Sequence, residues 1–427
     1  MKNVMLGAAA LALSAPLTAQ EPAALAPGEI VAQAKAEEWV AIPADDLLVM
    51  TLAPDTEGHA RQVVIQLMPA PFSQGWVHNI RLFARSGWYD GISVNRVQDN
   101  YVTQWGDPNY DNPEATGKAK PLPAGLKVMG EDAYTVDGET LSEANNKLRD
   151  QLSEKDTVVD DMDQDMASAI AEFERVASDH SSTEAALDSS ITALLRAAGL
   201  MATGEPNEQE KLAMLSIAAT QTPDAPQGWH ERDSFAEWTE IWQGWPLANR
   251  EVGQWFDENE NAVARPMMPR HEAFGRGFYQ EVSESSFWPV HCYGMVGVGR
   301  NLSPDTGSGA ELYTVIGHAP RHLDRNIAVV GRVIEGMEHL SSLPRGKGAL
   351  GFYGPDEVHK RTPILTVRVA SDLVPAEQPQ FAYLSTEGET FARYAEARVN
   401  RRDPFFNVPA GGVDICNVPV PVRRAAE

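Results

Sequence analysis

The sequence predicts a mainly β protein whose β domain is split by an acidic, helical insertion. Two blocks of short, apolar, β-branched runs carry the first half of that reading, at about 46–107 and 291–370. Between them, residues 131–220 hold 20 acidic and 6 basic side chains, a local net of −14 out of a formal −25 for the chain. Within that acidic stretch the apolar residues recur at helical spacing, which carries the second half.

Taken in order, Met1, Lys2 and Asn3 supply one positive charge, and an apolar run from Val4 to Ala15 is broken only by Gly7 and Ser14. Small residues follow, with Ala19 the expected last residue before cleavage. This is the pattern of a secretory signal peptide, too short for an anchor, and it predicts an exported, periplasmic protein; a retained leader is the alternative. No later run reaches the roughly 18 apolar residues that a spanning helix needs. Residues 46–52 and 62–67 read as strands around a turn at 55–59. Val77, Ile80, Leu82, Phe83 and Ala84 give a short amphipathic helix over 76–86, ending at Gly87. Strand character returns over 88–107, with Ile92, Val94 and Arg96 on one side and Asn95 and Val97 on the other.

Residues 111–123 are rich in Pro, Gly and Lys and read as a loop. Helical spacing follows at 141–152, 158–176, 183–200 and 208–219, expected to form a hairpin or small bundle. Residues 223–288 read as loop-like and carry six of the ten tryptophans: Trp229, Trp238, Trp242, Trp245, Trp255 and Trp288. Such density predicts packing against another surface, or an exposed aromatic patch that binds something. Strands resume at 291–298, 311–316, 327–335 and 364–370. After Asp372 one helix is expected over 390–400, then a Pro- and Gly-rich end that covers a surface. The domain reading is a signal peptide at 1–19, β domain at 20–110 and 290–372, insertion at 111–289 and C-terminal extension at 373–427.

Composition excludes several functions. With 60 acidic against 35 basic side chains, binding of nucleic acid through bulk charge is ruled out, and the same excess argues against adhesion to an anionic membrane surface. Two cysteines exclude a disulfide-rich scaffold and a four-cysteine zinc site. Cys292 and Cys416, 124 residues apart, pair in an oxidising compartment if the fold brings them together, and otherwise stay as buried thiols. His291 beside Cys292 does not make a catalytic thiol, because neighbours on a strand point to opposite faces. Gly346 to Gly351 satisfies GxGxxG on paper but lacks the strand before and helix after that a dinucleotide site needs. His318 and His322 are separated by Pro320 and do not share a helical face. Asp161, Asp163, Asp165 and Glu172 match positions of a calcium loop, yet Met166 stands where glycine is required, so a solvated acidic helix face is favoured.

The remaining motifs fall in the two β blocks. Residues 89–97 read YDGISVNRV and 101–108 read YVTQWGDP; 294–300 read GMVGVGR, 309–314 read GAELYT, and His322, Leu323 and Asp324 precede VVGRVIEGM at 329–337. His78, Asn79 and Ile80 stand on the first helix. In order and spacing these resemble the signature blocks of the cyclophilins, whose patterns are YxGx3HR, FMxQGGD, GxLxMA[NR], GSQFFI and [WF]LDG…VFGKVxEGM. The resemblance covers about 47–129 and 290–372. It implies an eight-stranded antiparallel barrel capped by helices, split here by the acidic α-helical insertion, and peptidyl-prolyl cis-trans isomerisation without cofactor or metal.

By that resemblance Arg96 is the catalytic arginine and Gln104 the glutamine that orients it. Tyr101, Val102, Tyr313 and Leu323 hold the proline ring, with Gly299, Arg300, Glu311, His322 and Ile327 completing the substrate site. A structural arginine and plain core packing are the alternative readings of the same residues. The chain departs from the pattern at Val102 (methionine), Ile327 (histidine), Glu311 (glutamine), His322 (tryptophan), Asn95 (histidine) and Arg325 (glycine), which argues against tight cyclosporin binding. Glu311 is expected to bias the site toward basic or neutral peptides. The expected partners are proline-containing segments of exported proteins, and oligomeric state is left open. The rival expectation is a peptide-binding or holdase module with little catalysis, working through the tryptophan-rich insertion; a calcium-responsive scaffold is a third.

Overall fold

The computed structural model describes residues 24–110, 115, 117–155, 233, 235–257, 261–263 and 279–425. The leader pattern, the helical segments expected at 158–176, 183–200 and 208–219, the calcium-like positions from Asp161 to Glu172, and Trp229 lie outside the described residues. In chain order the elements are α1 (Pro27–Val31), β1 (Trp39–Ala41), β2 (Leu47–Leu52), β3 (Arg61–Leu67), α2 (Gln74–Arg85), β4 (Ser93–Val97), β5 (Val102–Gly106), β6 (Val136–Asp137), α3 (Gly138–Lys155), β7 (Trp238–Trp242), β8 (Trp245–Phe256), β9 (Ala262–Val263), β10 (Tyr279–Pro289), β11 (Met295–Val298), β12 (Leu312–Val315), β13 (Val329–Glu335), α4 (Glu338–Ser341), β14 (Ile364–Val369), β15 (Phe381–Leu384), α5 (Glu389–Val399) and β16 (Val422–Arg424).

Eight antiparallel strands run β14-β2-β3-β13-β11-β12-β5-β4. The two outer strands of this sheet meet again: Ile364 N–H donates to Ile92 O at 2.8 Å and Gly91 N–H donates to Ile364 O at 2.9 Å, so the sheet is a nearly closed barrel. Closure leaves few unpaired strand edges. The apolar run of β2 is buried on both faces, and its alternation divides it. Leu48, Met50 and Leu52 enter the barrel core with Val63, Ile65 and Trp105, while Leu47 and Val49 pack outward with Val64 and Phe381. Helix α2 turns Trp76, Val77, Ile80, Phe83 and Ala84 to the same core, the i, i+4, i+7 stripe of an amphipathic helix. Trp76 Nε1–H is satisfied there by the carbonyls of Thr306 (3.1 Å) and Gly307 (3.0 Å). The second helix of the barrel region, α4, is a single turn that buries Leu340.

Two further sheets stand against the barrel. The 223–288 segment was expected to be loop-like; β7, β8 and β10 instead form a sheet ordered β6-β10-β8-β7. Regular alternation is hard to read there because aromatic side chains on β7, β8 and β10 pack on both sides of the strands. Trp242, Trp245, Trp255 and Trp288 are buried, so for these tryptophans the structure shows the packing alternative and not the exposed aromatic patch that the holdase reading needs. Helix α3 takes the place of the 141–152 expectation, extended at both ends. The third sheet, β1-β15-β16, joins the two ends of the described chain and covers the outer face of β2 and β3. The C-terminal extension therefore covers a surface as expected, but by strand pairing and α5. Cys292 and Cys416 are joined by a disulfide, which settles the open alternative and ties residue 416 to the start of β11.

Candidate active site

The site is built on the outer face of the barrel around β4 and β5. The register of β4 on β5 slips between Val94 and Arg96, so Asn95 is the extra residue of a β-bulge. Its side chain turns inward, accepting from Ser93 Oγ at 2.7 Å and donating to Gly106 O at 3.0 Å. The expected simple alternation around Arg96 is thereby corrected: the bulge sets Arg96 directly opposite Gln104. Arg96 Nη1 donates to Gln104 Oε1 at 3.0 Å, Nε donates to Leu350 O at 2.6 Å, and Nη2 donates to Gln98 Oε1. Its carbon Cζ stands 5.6 Å from the Tyr101 ring centroid and 5.4 Å from that of Phe352. Burial lowers the Arg96 pKa, and Tyr101, Glu311 and Tyr313 act against that shift. Gln104 Nε2 in turn donates to Glu311 Oε2 at 3.0 Å.

Beside this polar line lies a small apolar cluster separate from the barrel interior. Val102, Tyr313 and Val315 are buried in it, with Tyr101, Leu323 and Ile327 half-buried around them. Polar line and apolar cluster together wall one cavity of about 270 Å³. Of the residues expected from sequence, Arg96, Gln104, Tyr101, Val102, Gly299, Arg300, Glu311, Tyr313, Leu323 and Ile327 line it. His322 does not. It is exposed and stacks on Tyr101, with centroids 6.2 Å apart, because the turn Arg321–Leu323 buries Arg321, half-buries Leu323 and leaves the residue between them facing out.

Sequence analysis missed Asn301, Leu350 and Phe352 in the cavity wall. Leu350 lies within the Gly346–Gly351 run, whose sequence signal is only a dinucleotide-like motif, and Phe352 directly follows it. Its glycines serve close backbone approach. Gly351 has φ +82, and a Cβ there would stand 2.7 Å from Gln98 Cα. The loop so folded brings the Leu350 carbonyl onto Arg96 and bridges Phe352 to Arg96 through the backbone.

The family model described as cyclophilin type peptidyl-prolyl cis-trans isomerase/CLD matches residues 56–154 and 256–370, about half of the chain. The chain belongs to this family. Its two matched stretches are separated by an insertion, and the family's activity is isomerisation of peptide bonds preceding proline. Among solved structures, the crystal structure of cyclophilin AquaCyp293 from Hirschia baltica is similar, with 18% sequence identity and a TM-score of 0.49; the match covers 92% of this chain and 98% of that one. No curated protein matches the chain. One departure from the cyclophilin pattern has a visible structural answer. Arg325, at the glycine of the LDG motif, holds φ +63, and its guanidinium lies 4.5 Å from the Trp288 ring centroid. A left-handed conformation costs a side-chain-bearing residue about 1–2 kcal/mol, which the cation–π contact offsets in part.

Proposed function

We propose that the 270 Å³ cavity is where this isomerase turns the X-Pro bond, with Arg96 acting on the amide and the Tyr101, Val102, Tyr313 and Leu323 walls holding the proline ring. The observation that carries this reading is the set of bonds on Arg96. A guanidinium has five N–H donors; three are engaged by Leu350, Gln104 and Gln98, which fix its plane, and two are left for a substrate. An amide resists rotation by about 18–20 kcal/mol because its nitrogen lone pair is delocalised into the carbonyl. Twisting returns the lone pair to the nitrogen, which can then accept a hydrogen bond that the planar amide cannot. A fixed N–H beside the prolyl nitrogen therefore binds the twisted form better than either planar form, and that difference is catalysis. No bond is broken, so no nucleophile is required.

The reading extends to clients. A leader pattern at 1–19 and the disulfide between Cys292 and Cys416 both fit an oxidising, exported location, so the substrates are proline-containing segments of exported proteins. Cell fractionation tests the location: the protein is expected in the periplasmic fraction, and a cytosolic one overturns it.

The test of the site is the rate of cis-to-trans isomerisation of the peptide Ala-Ala-Pro-Phe with the wild type and with Arg96→Ala. Loss of a preorganised donor to the reacting group costs roughly 100-fold or more in rate, and that loss is expected here in kcat/KM. Equal acceleration by the two proteins overturns the role given to Arg96.

A further inference from the structure

The Tyr313 side chain is held from behind by groups that do not touch the cavity. Its hydroxyl lies 2.9 Å from His291 Nε2, and the two rings are parallel within 10°. His291 is fully buried, and its Nδ1 lies 2.9 Å from Asp324 Oδ1, which also accepts the His291 main-chain N–H at 3.0 Å. Asp324 Oδ2 accepts from Arg321 Nε at 2.7 Å. The Arg321 fork then meets both oxygens of Asp233, at 2.6 and 3.0 Å. Asp233 lies between the two family-matched stretches, so a residue of the insertion ends the chain of bonds.

The bonding pattern defines a direction. The Asp324 carboxylate only accepts, so Nδ1 carries the proton and donates. In the neutral imidazole Nε2 is then an acceptor, and it receives the Tyr313 O–H. Burial raises the Tyr313 pKa well above its ordinary value, which keeps that proton in place. On the opposite strand Gly297 faces Tyr313 in register, and a Cβ there would stand 2.3 Å from the hydroxyl oxygen. Only glycine lets the ring lie across β11 and reach His291.

We propose that His291 is a positioning residue of the proline pocket: it anchors Tyr313 through the hydroxyl, while Asp324, Arg321 and Asp233 hold His291 in the accepting tautomer. The wall against which the proline ring packs is thereby set before substrate arrives. Such preorganisation strengthens binding by removing the ordering cost from the association step. Since His291 does not line the cavity and acts through the Tyr313 wall, the effect falls on binding and leaves the step at the amide alone. A phenylalanine, the residue of the cyclophilin pattern here, offers His291 nothing to hold.

This inference rests on the cavity being the substrate site, and its test separates the two. The dissociation constant and the isomerisation kinetics of Ala-Ala-Pro-Phe are measured for the wild type, Tyr313→Phe, His291→Asn and the double variant, with Arg96→Ala alongside and circular dichroism to show folding. The His291→Asn amide can still donate to Asp324 but is too short to reach the hydroxyl. Each single variant is expected to raise Kd and KM about tenfold, the worth of one buried hydrogen bond, with kcat within twofold. The double variant is expected to be no weaker than either single one. Unchanged binding by Tyr313→Phe overturns the proposal, as does a His291→Asn penalty of equal size in the Tyr313→Phe background. Should His291→Asn fail to fold, Tyr313→Phe decides alone, since it removes a single oxygen. An Arg96→Ala protein that keeps its rate while the His291 and Tyr313 effects coincide sinks the catalytic reading and leaves this one standing. A wild type that neither binds nor turns over the peptide overturns both.

Discussion

Between Arg96, which can only donate, and the Glu311 carboxylate, which can only accept, the Gln104 amide has one satisfied orientation: Oε1 toward the guanidinium and Nε2 toward the carboxylate. That orientation is what aims Nη1 and, through the rigid plane of the guanidinium, the two unengaged N–H groups. Replacing Gln104 by leucine keeps the volume of the wall and removes both bonds. Gln104→Leu is expected to lower kcat/KM about tenfold, near the worth of one hydrogen bond to a charged group, against the larger loss in Arg96→Ala. A Gln104→Leu rate equal to the wild type would show that Leu350 and Gln98 suffice to hold the arginine. At the same scale, Arg325 and His322 show how far a motif position can drift. One keeps a glycine's backbone conformation with the help of Trp288, and the other leaves the cavity altogether.

At the scale of elements, the glycine-rich loop between α4 and β14 builds the site as much as a strand does, because it supplies the Leu350 carbonyl to Arg96. Glu357 anchors it. Its carboxylate pairs with Lys360 and accepts the Lys347 main-chain N–H at 2.9 Å, and those bonds hold its pKa down at about 2 from an ordinary 4.5. A depressed carboxyl pKa contributes stability that is complete above the unfolded value and lost as pH falls through the folded one. Wild-type stability is therefore expected to decline as pH falls from about 4.5 toward 2, and Glu357→Gln to flatten that decline. Urea unfolding at stepped pH measures both slopes. Coincident slopes would mean that the carboxyl is not tied down in solution.

At the scale of the whole molecule, the disulfide joins the C-terminal extension to the start of β11, one residue from His291, across a separation of 124 residues. In the chain-entropy model a loop of that length is worth about 4–5 kcal/mol. At roughly 2–4 °C per kcal/mol for a chain of this size, the Cys292→Ser, Cys416→Ser pair is expected to lower Tm by about 10 °C or more. Reducing agent should do the same to the wild type and nothing to the variant. Equal melting temperatures would show that the unfolded chain gains no freedom when the bond is absent. Along the chain the acidic surplus is gathered at 131–220, between the two apolar blocks that supply the barrel strands.

Short-range pattern was enough for most of the strands and for the stripe on α2, because alternation shows which face of a run is apolar. The closed barrel and the residues that meet at one cavity are what the resemblance of five signature blocks to the cyclophilins implies, since alternation alone does not say which distant strands pair. Three things lay beyond local pattern. The tryptophan-rich segment reads as loop because its strands bury aromatics without clean alternation, and only packing against the barrel shows them as a sheet. The Leu350 carbonyl is a backbone group, and no side-chain motif announces where a main chain will pass. The line from Asp233 through Arg321, Asp324 and His291 to Tyr313 joins residues up to 91 positions apart. Each alone is an ordinary polar residue; burial removes water as a partner, so only the tertiary fold decides which of them must satisfy one another.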